Sequence, residues 1–423
     1  MKILILGAGP GGYETAREAA RLGADVILIS DGPLGGVCLN EGCIPTKVFV
    51  AGGGTVSELQ DRKNTVTGQL RSGISQLLDR AGVHVVEGRG VFKDSRTVLV
   101  GDEEYTADYI IIATGSHSAS LPIPGVDLNG VLNSAGILDL ESAPESLCII
   151  GGGVIGLEFA SIFAKLGTQV SVLEFCPVIL PRFDVDIAKR LKQQLSRSGI
   201  TIQTGAQVTA IEPGMRVRYT CNDAEAFVDC EKVLMAVGRR PSVEGLGLEE
   251  AGVSYSPRGI AVDGSMRTSV PHIFAIGDVT GGIMLAHAAT FHGRKALCAI
   301  FGLQDNIRME ICPAAVFTDP EVATVGLSEE DCRERGIAYR CLKSAFRANG
   351  KAMAMGRPEG LCKLLVEDGS GRIIGCHIMG EHASDLIEEV AVAMNFDATV
   401  EQLRSVIHAH PTLSEVILNA ANQ

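Results

Sequence analysis

Tryptophan is absent from this chain of 423 residues, and aromatic residues make up only 4% of it. Its cores must therefore be built from Ile, Val, Leu and Ala, and a hydrophobic fraction of 46% supplies enough of them. Positive charge is scarce too. The net charge of −13 argues against a nucleic-acid surface or an anionic membrane as the main partner. No apolar run approaches the ~20 residues that a membrane-spanning helix needs. Met1-Lys2 before Ile3-Leu4-Ile5-Leu6 could mimic a signal peptide, but so short a run entering glycines reads as a strand. The zinc-type C-x2-C pair is missing, so no metal site is expected. Twelve cysteines in an acidic, untargeted chain fit a reducing cytoplasm with mostly free thiols. Ten of them are scattered and read as small buried hydrophobes.

Glycine, by contrast, is abundant, and it clusters in motifs. The length suggests two to four domains, and one motif occurs twice. Ile3–Leu6 reads as a strand, followed by Gly7-Ala8-Gly9-Pro10-Gly11-Gly12, a helix to about Leu22 and a strand at Val26–Ile29. Leu147–Ile150 is likewise followed by Gly151-Gly152-Gly153-Val154-Ile155-Gly156, a helix to about Leu166 and a strand at Val170–Leu173. Glycines at Gly7, Gly9, Gly12, Gly151, Gly153 and Gly156 let backbone turn tightly against a pyrophosphate that sits on a helix N-terminus. One G-x-G-x-x-G says little. Two, each with its strand and helix, indicate two Rossmann-type units, with FAD at one and a nicotinamide cofactor at the other.

Thr55–Ala81 reads as a polar helix, and Val98–Val100, Tyr109–Ile112 and Phe274–Ile276 as strands. Residues 200–236 carry several short strands. From Glu310 the chain is strand-rich (Leu361–Val366, Ile373–Met379), with helices at about Ser384–Met394 and Val400–Ile407.

The acid that takes the ribose hydroxyls belongs at the end of the second strand of each unit. In the second unit it is Glu174, which favours NAD because a carboxylate there repels a 2′-phosphate. The first unit departs from the pattern. Ser30 holds the equivalent place, and Asp31 can substitute only if the strand has already ended, since adjacent strand residues face opposite sides.

The stretch Gly35-Gly36-Val37-Cys38-Leu39-Asn40-Glu41-Gly42-Cys43-Ile44-Pro45-Thr46-Lys47 spaces its cysteines C-x4-C. Five residues of regular helix rise about 7.5 Å, while a disulfide needs Cα atoms within about 7 Å. A bridge here requires a distorted helix, which Gly42 and Pro45 favour. The alternative is a pair of separate buried thiols.

This stretch resembles the active-site signature of the class I pyridine nucleotide–disulfide oxidoreductases, nearest to their dihydrolipoamide dehydrogenase branch. The resemblance continues through Ala113-Thr114-Gly115-Ser116, Ala236-Val237-Gly238-Arg239, Ala275-Ile276-Gly277-Asp278, Phe317-Thr318-Asp319-Pro320-Glu321 and His408-Ala409-His410-Pro411-Thr412-Leu413-Ser414-Glu415. It implies an α/β fold with two Rossmann-like dinucleotide-binding domains plus an α+β C-terminal dimerisation domain. The expected boundaries are 1–120 and 244–309 for FAD, 121–243 for NAD and 310–423 for dimerisation.

By the same resemblance Cys38 is the interchange thiol and Cys43 the thiol against the flavin. His410 is the acid–base, oriented by Glu415, whereas His408 reads as a surface or satisfied core residue. FAD is expected to meet Gly36, Val37, Lys47, Thr114, Gly115, Asp278, Leu285 and Ala286 besides the first turn, with Ser30 and Asp31 at the ribose. Met284-Leu285-Ala286-His287 resembles the start of a helix aimed at the flavin pyrimidine. NAD is expected at the second turn with Val154, Ile155 and Glu174, and along backbone near Val208 and Gly238. Glu158 belongs with that unit and is the expected partner of Lys47.

The resemblance implies oxidation of dihydrolipoamide with NAD as acceptor, in a homodimer with composite active sites. The partner would be a lipoyl-bearing protein of a 2-oxo acid dehydrogenase or glycine cleavage complex. Mercuric and large thioredoxin reductases carry a C-terminal redox tail, which Asn419-Ala420-Ala421-Asn422-Gln423 does not resemble, and glutathione and trypanothione reductases need arginines near Glu174. Two alternatives stay open. One is an NAD(P)H-dependent reductase of another low-molecular-weight disulfide, since the segment from Val48 to Gly82 is shorter than usual. The other is a structural flavoprotein of a 2-oxo acid dehydrogenase complex.

Overall fold

Ile3, Leu4, Ile5 and Leu6 are all buried, as a strand must be when both faces of a parallel sheet are covered. Ile3 and Ile5 pack with Ala16, Ala19 and Leu297 on one face. Leu4 and Leu6 pack with Phe92, Val98 and Ile260 on the other. A computed structural model describes residues 1–423. In chain order its helices are α1 (Pro10–Arg21), α2 (Gly36–Asn40), α3 (Cys43–Ala51), α4 (Val56–Ala81), α5 (Val154–Lys165), α6 (Val185–Arg197), α7 (Ala286–Phe301), α8 (Glu329–Arg335), α9 (Gly350–Ala354), α10 (Ala383–Asn395), α11 (Val400–Arg404) and α12 (Glu415–Ala421).

The chain divides into two compact units. The first comprises Met1–Ala119, Ser134–Glu141 and Gly238–Ile307. Its main sheet is parallel, in the order Ile273–Ala275, Tyr109–Ile112, Lys2–Leu6, Asp25–Ser30, His84–Glu87. Helix α4 starts at a capping box, in which Thr55 Oγ1 accepts from the Glu58 N–H and the Glu58 carboxylate from the Thr55 N–H. It ends at Gly82 in the left-handed region.

The second unit comprises Ser120–Asn133, Ser142–Val237 and Arg308–Gln423. It repeats the parallel arrangement in the order Thr201–Thr204, Gln169–Glu174, Ser146–Ile150, Lys232–Met235, Val131–Leu132. It also carries an antiparallel sheet in the order Ala314–Val316, Glu321–Gly326, Ile373–Gly380, Leu361–Glu367, Tyr339–Ala345. Residues of α10 and α12 close the core over that sheet. The fold class is the α/β arrangement expected from the sequence.

Three local expectations are corrected. The helix expected to reach Ile407 ends at Arg404, where the Ser405 hydroxyl donates to the Gln402 carbonyl and competes with continued helix. Ile276 lies beyond its strand, at the entry to the tight turn Gly277–Thr280. Of the ten scattered cysteines only Cys148, Cys332, Cys362 and Cys376 are fully buried; the other six are partly exposed. No helix is long and apolar enough to cross a membrane.

Candidate active site

The two glycine turns are built alike. Gly7 and Gly151 have φ of 104° and 114°, and a Cβ on either would drive into the Ala113 or Ala236 carbonyl. A Cβ on Gly12 would lie 1.8 Å from the Gly7 oxygen, and one on Gly156 2.0 Å from the Gly151 oxygen. Only glycine permits this approach of helix to turn. Gly9 and Gly153 cap α1 and α5 without any side-chain cap, and a Cβ on either would face open space. The first N–H groups of both helices, Val154 and Ile155 among them, are thus free for an anion. These cradles fit the diphosphates of FAD and NAD.

The strands beside them end differently. Glu174 closes Gln169–Glu174 and is buried; its Oε2 accepts from the Gly152 N–H at 2.5 Å and its Oε1 from the Cys176 N–H at 2.6 Å. The carboxylate is held against the turn. At the first turn the strand ends at Ser30, whose buried hydroxyl donates to the Gly32 carbonyl at 2.7 Å. Asp31 lies just beyond the strand and is exposed.

The cysteine stretch folds as a broken helix. Helix α2 stops at Asn40, Gly42 takes φ −137° and ψ −112°, and α3 restarts at Cys43. The break brings the two thiols into hydrogen-bond contact, Cys38 half-buried and Cys43 exposed. The bond to Cys43, and burial next, push the Cys38 thiol far above its ordinary pKa, although the Lys47 ammonium pulls the other way. The segment is fastened to the first turn, since the Gly35 N–H donates to the Ala8 carbonyl at 2.9 Å and a Cβ on Gly36 would meet Gly9 Cα at 2.7 Å. Val37 projects outward, and Lys47 lies half-buried on α3.

In the same unit Asp278 accepts from Ser116 Oγ at 2.5 Å, and Arg239 Nε donates to that hydroxyl at 2.7 Å. Thr114 Oγ1 donates to the Ser242 carbonyl at 2.9 Å, and Gly115 has φ 72°. Leu285 caps α7, which begins at Ala286 without a side-chain cap. Gly238 belongs to this first unit, whereas Val208 lies in the second with its side chain in the core. Glu158, buried on α5, accepts from the Phe317 N–H at 3.0 Å.

Near the C-terminus, His410 Nδ1 lies 2.9 Å from Glu415 Oε1. The Thr412 N–H, and then His410, hold the Glu415 carboxyl below its usual range. The His410 side chain is 78% exposed, so its second nitrogen is open to another molecule. His408 is a satisfied residue, 2.8 Å from Glu389 and 3.0 Å from the Val406 carbonyl.

Residues 1–293 match the pyridine nucleotide-disulphide oxidoreductase family, and residues 312–421 match its dimerisation domain. The chain belongs to this family. A chain carrying this second domain pairs with a copy of itself, which supports a homodimer. Dihydrolipoyl dehydrogenase from Geobacillus stearothermophilus is 40% identical, over 99% of this chain and 95% of that one. The Chlamydia muridarum dihydrolipoyl dehydrogenase is 39% identical, over 99% and 95% respectively. Among solved structures, the HOCl-induced flavoprotein disulfide reductase RclA from Escherichia coli superposes with a TM-score of 0.92 at 30% identity, covering 100% of this chain and 99% of that one.

Some residues of this family site carry no isolated sequence signal. Asn40 ties the cysteine segment together, donating to the Leu34 and Gly36 carbonyls while its Oδ1 accepts from Arg71 of α4 at 2.8 Å. His292 of α7 is buried and accepts the Gly277 N–H on Nδ1 at 3.2 Å, which steadies the turn bearing Asp278.

Proposed function

We propose that this chain oxidises dihydrolipoamide to lipoamide with NAD, through FAD and a Cys38–Cys43 disulfide. The observation that carries the reading is the helix break at Gly42, which sets the two thiols in contact beside a dinucleotide turn. A substrate thiolate attacks Cys38 Sγ, the Cys38–Cys43 bond breaks, and Cys43 leaves as thiolate. The second substrate thiol gives its proton to His410 and attacks the first substrate sulfur, which closes lipoamide and frees Cys38. His410 returns the proton to Cys38. The raised pKa of Cys38, set by its hydrogen bond to Cys43 and by burial, suits a thiol that takes a proton back from His410. Bound FAD would supply the electron relay from Cys43 to NAD.

Gly7, Gly9, Gly12, Gly36, Val37, Lys47, Thr114, Gly115, Asp278, Leu285 and Ala286 would hold FAD. Gly151, Gly153, Val154, Ile155, Gly156, Glu174, Val208 and Gly238 would hold NAD, with Glu158 as partner of Lys47. On this reading 1–120 and 244–309 form the FAD-binding domain, 121–243 the NAD-binding domain and 310–423 the dimerisation domain. The exposed apolar side chains of Val392, Phe396, Val406 and Ile407 suit an interface in which His410 serves the partner's cysteines. The enzyme would work in the cytoplasm on a lipoyl-bearing protein of a 2-oxo acid dehydrogenase or glycine cleavage complex.

Steady-state kinetics test this directly. Dihydrolipoamide with NAD should give the highest kcat/KM, and NADP should fall about a hundredfold short, because a 2′-phosphate beside Glu174 lacks a cation. The likeness to RclA favours a second reading, NAD(P)H-dependent reduction of another small disulfide. The short α3, which ends at Ala51 just before α4 starts at Val56, fits a trimmed wall beside the cysteines. Higher kcat/KM for glutathione disulfide with NADH or NADPH than for dihydrolipoamide with NAD would replace the first reading with the second.

A further inference from the structure

A lysine in the middle of an apolar strand needs a reason, because burying an ammonium is costly unless carboxylates meet it. Lys363 lies in strand Leu361–Glu367 with its side chain 1% exposed. Its Nζ is 2.8 and 2.7 Å from the two oxygens of Asp184 and 2.5 Å from Glu329 Oε1. Burial pulls its pKa down, but the two carboxylates outweigh burial and hold it above the ordinary lysine value. Asp184 is as buried as its partner, and its Oδ1 also caps α6 through the Asp186 and Ile187 N–H groups.

The place of Asp184 in the chain gives the cluster its meaning. It closes the loop 175–184 that leaves Glu174. That loop is fastened to the second glycine turn at its near end. The Glu174 carboxylate takes the Gly152 N–H, and the Leu180 N–H donates to the Gly152 carbonyl at 3.0 Å. Leu180 is buried at φ 47°, a backbone state that the surrounding contacts must hold in place. At the far end the only strongly bound side chain is Asp184, and its cation comes from the C-terminal antiparallel sheet.

We propose that Lys363 is a positioning residue for NAD binding: by anchoring Asp184 it fixes the loop that holds Glu174 and Gly152 in register. The proposal rests on the reading of Glu174 as the ribose-binding acid. It predicts that the NAD step depends on Lys363 while the dithiol step does not.

The test is calorimetric titration of the oxidised, FAD-loaded dimer with NAD, beside stopped-flow flavin reduction by dihydrolipoamide, which needs no NAD. Lys363→Met should weaken NAD binding about tenfold and leave the rate of flavin reduction within about twofold of wild type. Lys363→Arg, which keeps the cation, should recover part of the affinity. If Lys363→Met does not accumulate as folded protein, Asp184→Asn serves instead. It keeps a helix-capping side chain, leaves Lys363 paired with Glu329, and should weaken NAD in the same way. Lys343→Met, which removes the exposed Lys343–Asp186 pair, should change neither readout. Unchanged NAD affinity in a folded Lys363 or Asp184 variant overturns the proposal, and so does an equal fall in both readouts, which would mark a general structural role. Glu174→Gln separates the two layers of the argument. If it leaves NAD affinity unchanged, the reading of Glu174 fails; if it weakens NAD while Lys363→Met does not, the anchor alone fails.

Discussion

His410 Nδ1 stands 2.9 Å from one oxygen of Glu415, and the other oxygen of that carboxylate is taken by the Thr412 N–H at the same distance. A carboxylate held at both oxygens cannot rotate away, so it keeps the imidazole in one orientation with Nδ1 donating and Nε2 free to take a proton.

Glu415→Gln should therefore lower kcat for dihydrolipoamide oxidation by about a hundredfold, with FAD content and visible spectrum unchanged. The amide can still hydrogen-bond the ring but does not stabilise its protonated form. Wild-type kcat in this variant would remove Glu415 from the mechanism.

Much of this site was legible in the sequence, because backbone geometry forces residue type there. Gly7, Gly12 and Gly36 sit where any Cβ would collide with backbone, so spacing alone marks the turns. The break between α2 and α3 followed from comparing helix rise with disulfide reach. Glu174 followed from its place at a strand end. Arg71, His292 and Asp184 were not legible. Each acts through an atom far along the chain, and a single sequence does not show which distant groups meet. Lys363 did leave a trace, one charge within Leu361-Cys362-Lys363-Leu364-Leu365-Val366, but nothing in that trace names Asp184.

Cys38→Ser should give an FAD-loaded enzyme with a long-wavelength charge-transfer band, because it leaves Cys43 as a lone thiolate next to oxidised flavin. Cys43→Ser should lack the band. The Cys38 thiol is pushed up by its hydrogen bond to Cys43 and by burial, which disfavours Cys38 as the charged member of the pair. Absorbance spectra of the two variants decide the assignment, and a band in Cys43→Ser alone would reverse it.

Ser30 has no acid to offer a ribose, and its hydroxyl is spent on the Gly32 carbonyl. Ser30→Glu should slow FAD release, followed as flavin fluorescence appearing on dilution. A gain of about tenfold is in proportion to one charge-assisted hydrogen bond of roughly 1.5 kcal/mol. An unchanged rate would mean that the exposed Asp31 already supplies the contact.

On the reading that Asp278 holds FAD, His292 should make FAD retention sensitive to acid. Burial, with Lys295 next, holds its pKa below the ordinary histidine value, although Asp278 opposes them. The neutral ring accepts the Gly277 N–H. A depressed folded-state pKa means that this support is fully present above about pH 6.5, the unfolded value, and is lost as pH falls through the folded one. Protonation of Nδ1 removes the acceptor and loosens the turn that carries Asp278. FAD release should speed up as pH falls from 7 to 5. His292→Gln, which keeps an acceptor but does not titrate, should flatten that profile. The same acid dependence in the variant would show that other groups control release.

The last prediction separates the two chains of the dimer. Cys38 and Cys43 lie in the first unit, His410 and Glu415 in the second, and on the proposed reading the histidine serves the cysteines of the partner subunit. A two-fold interface repeats each contact, so both sites form together. Cys43→Ser and His410→Gln proteins should each be inactive alone. Mixed under conditions that exchange subunits, they give heterodimers in which one site collects both lesions and the other is wholly wild type. Random exchange makes about half of the dimers heterodimeric, so roughly a quarter of wild-type activity should return. Native mass spectrometry would verify the exchange independently of turnover. If heterodimers form and activity stays absent, the histidine acts on the cysteines of its own chain, because in that arrangement neither site of a heterodimer is intact.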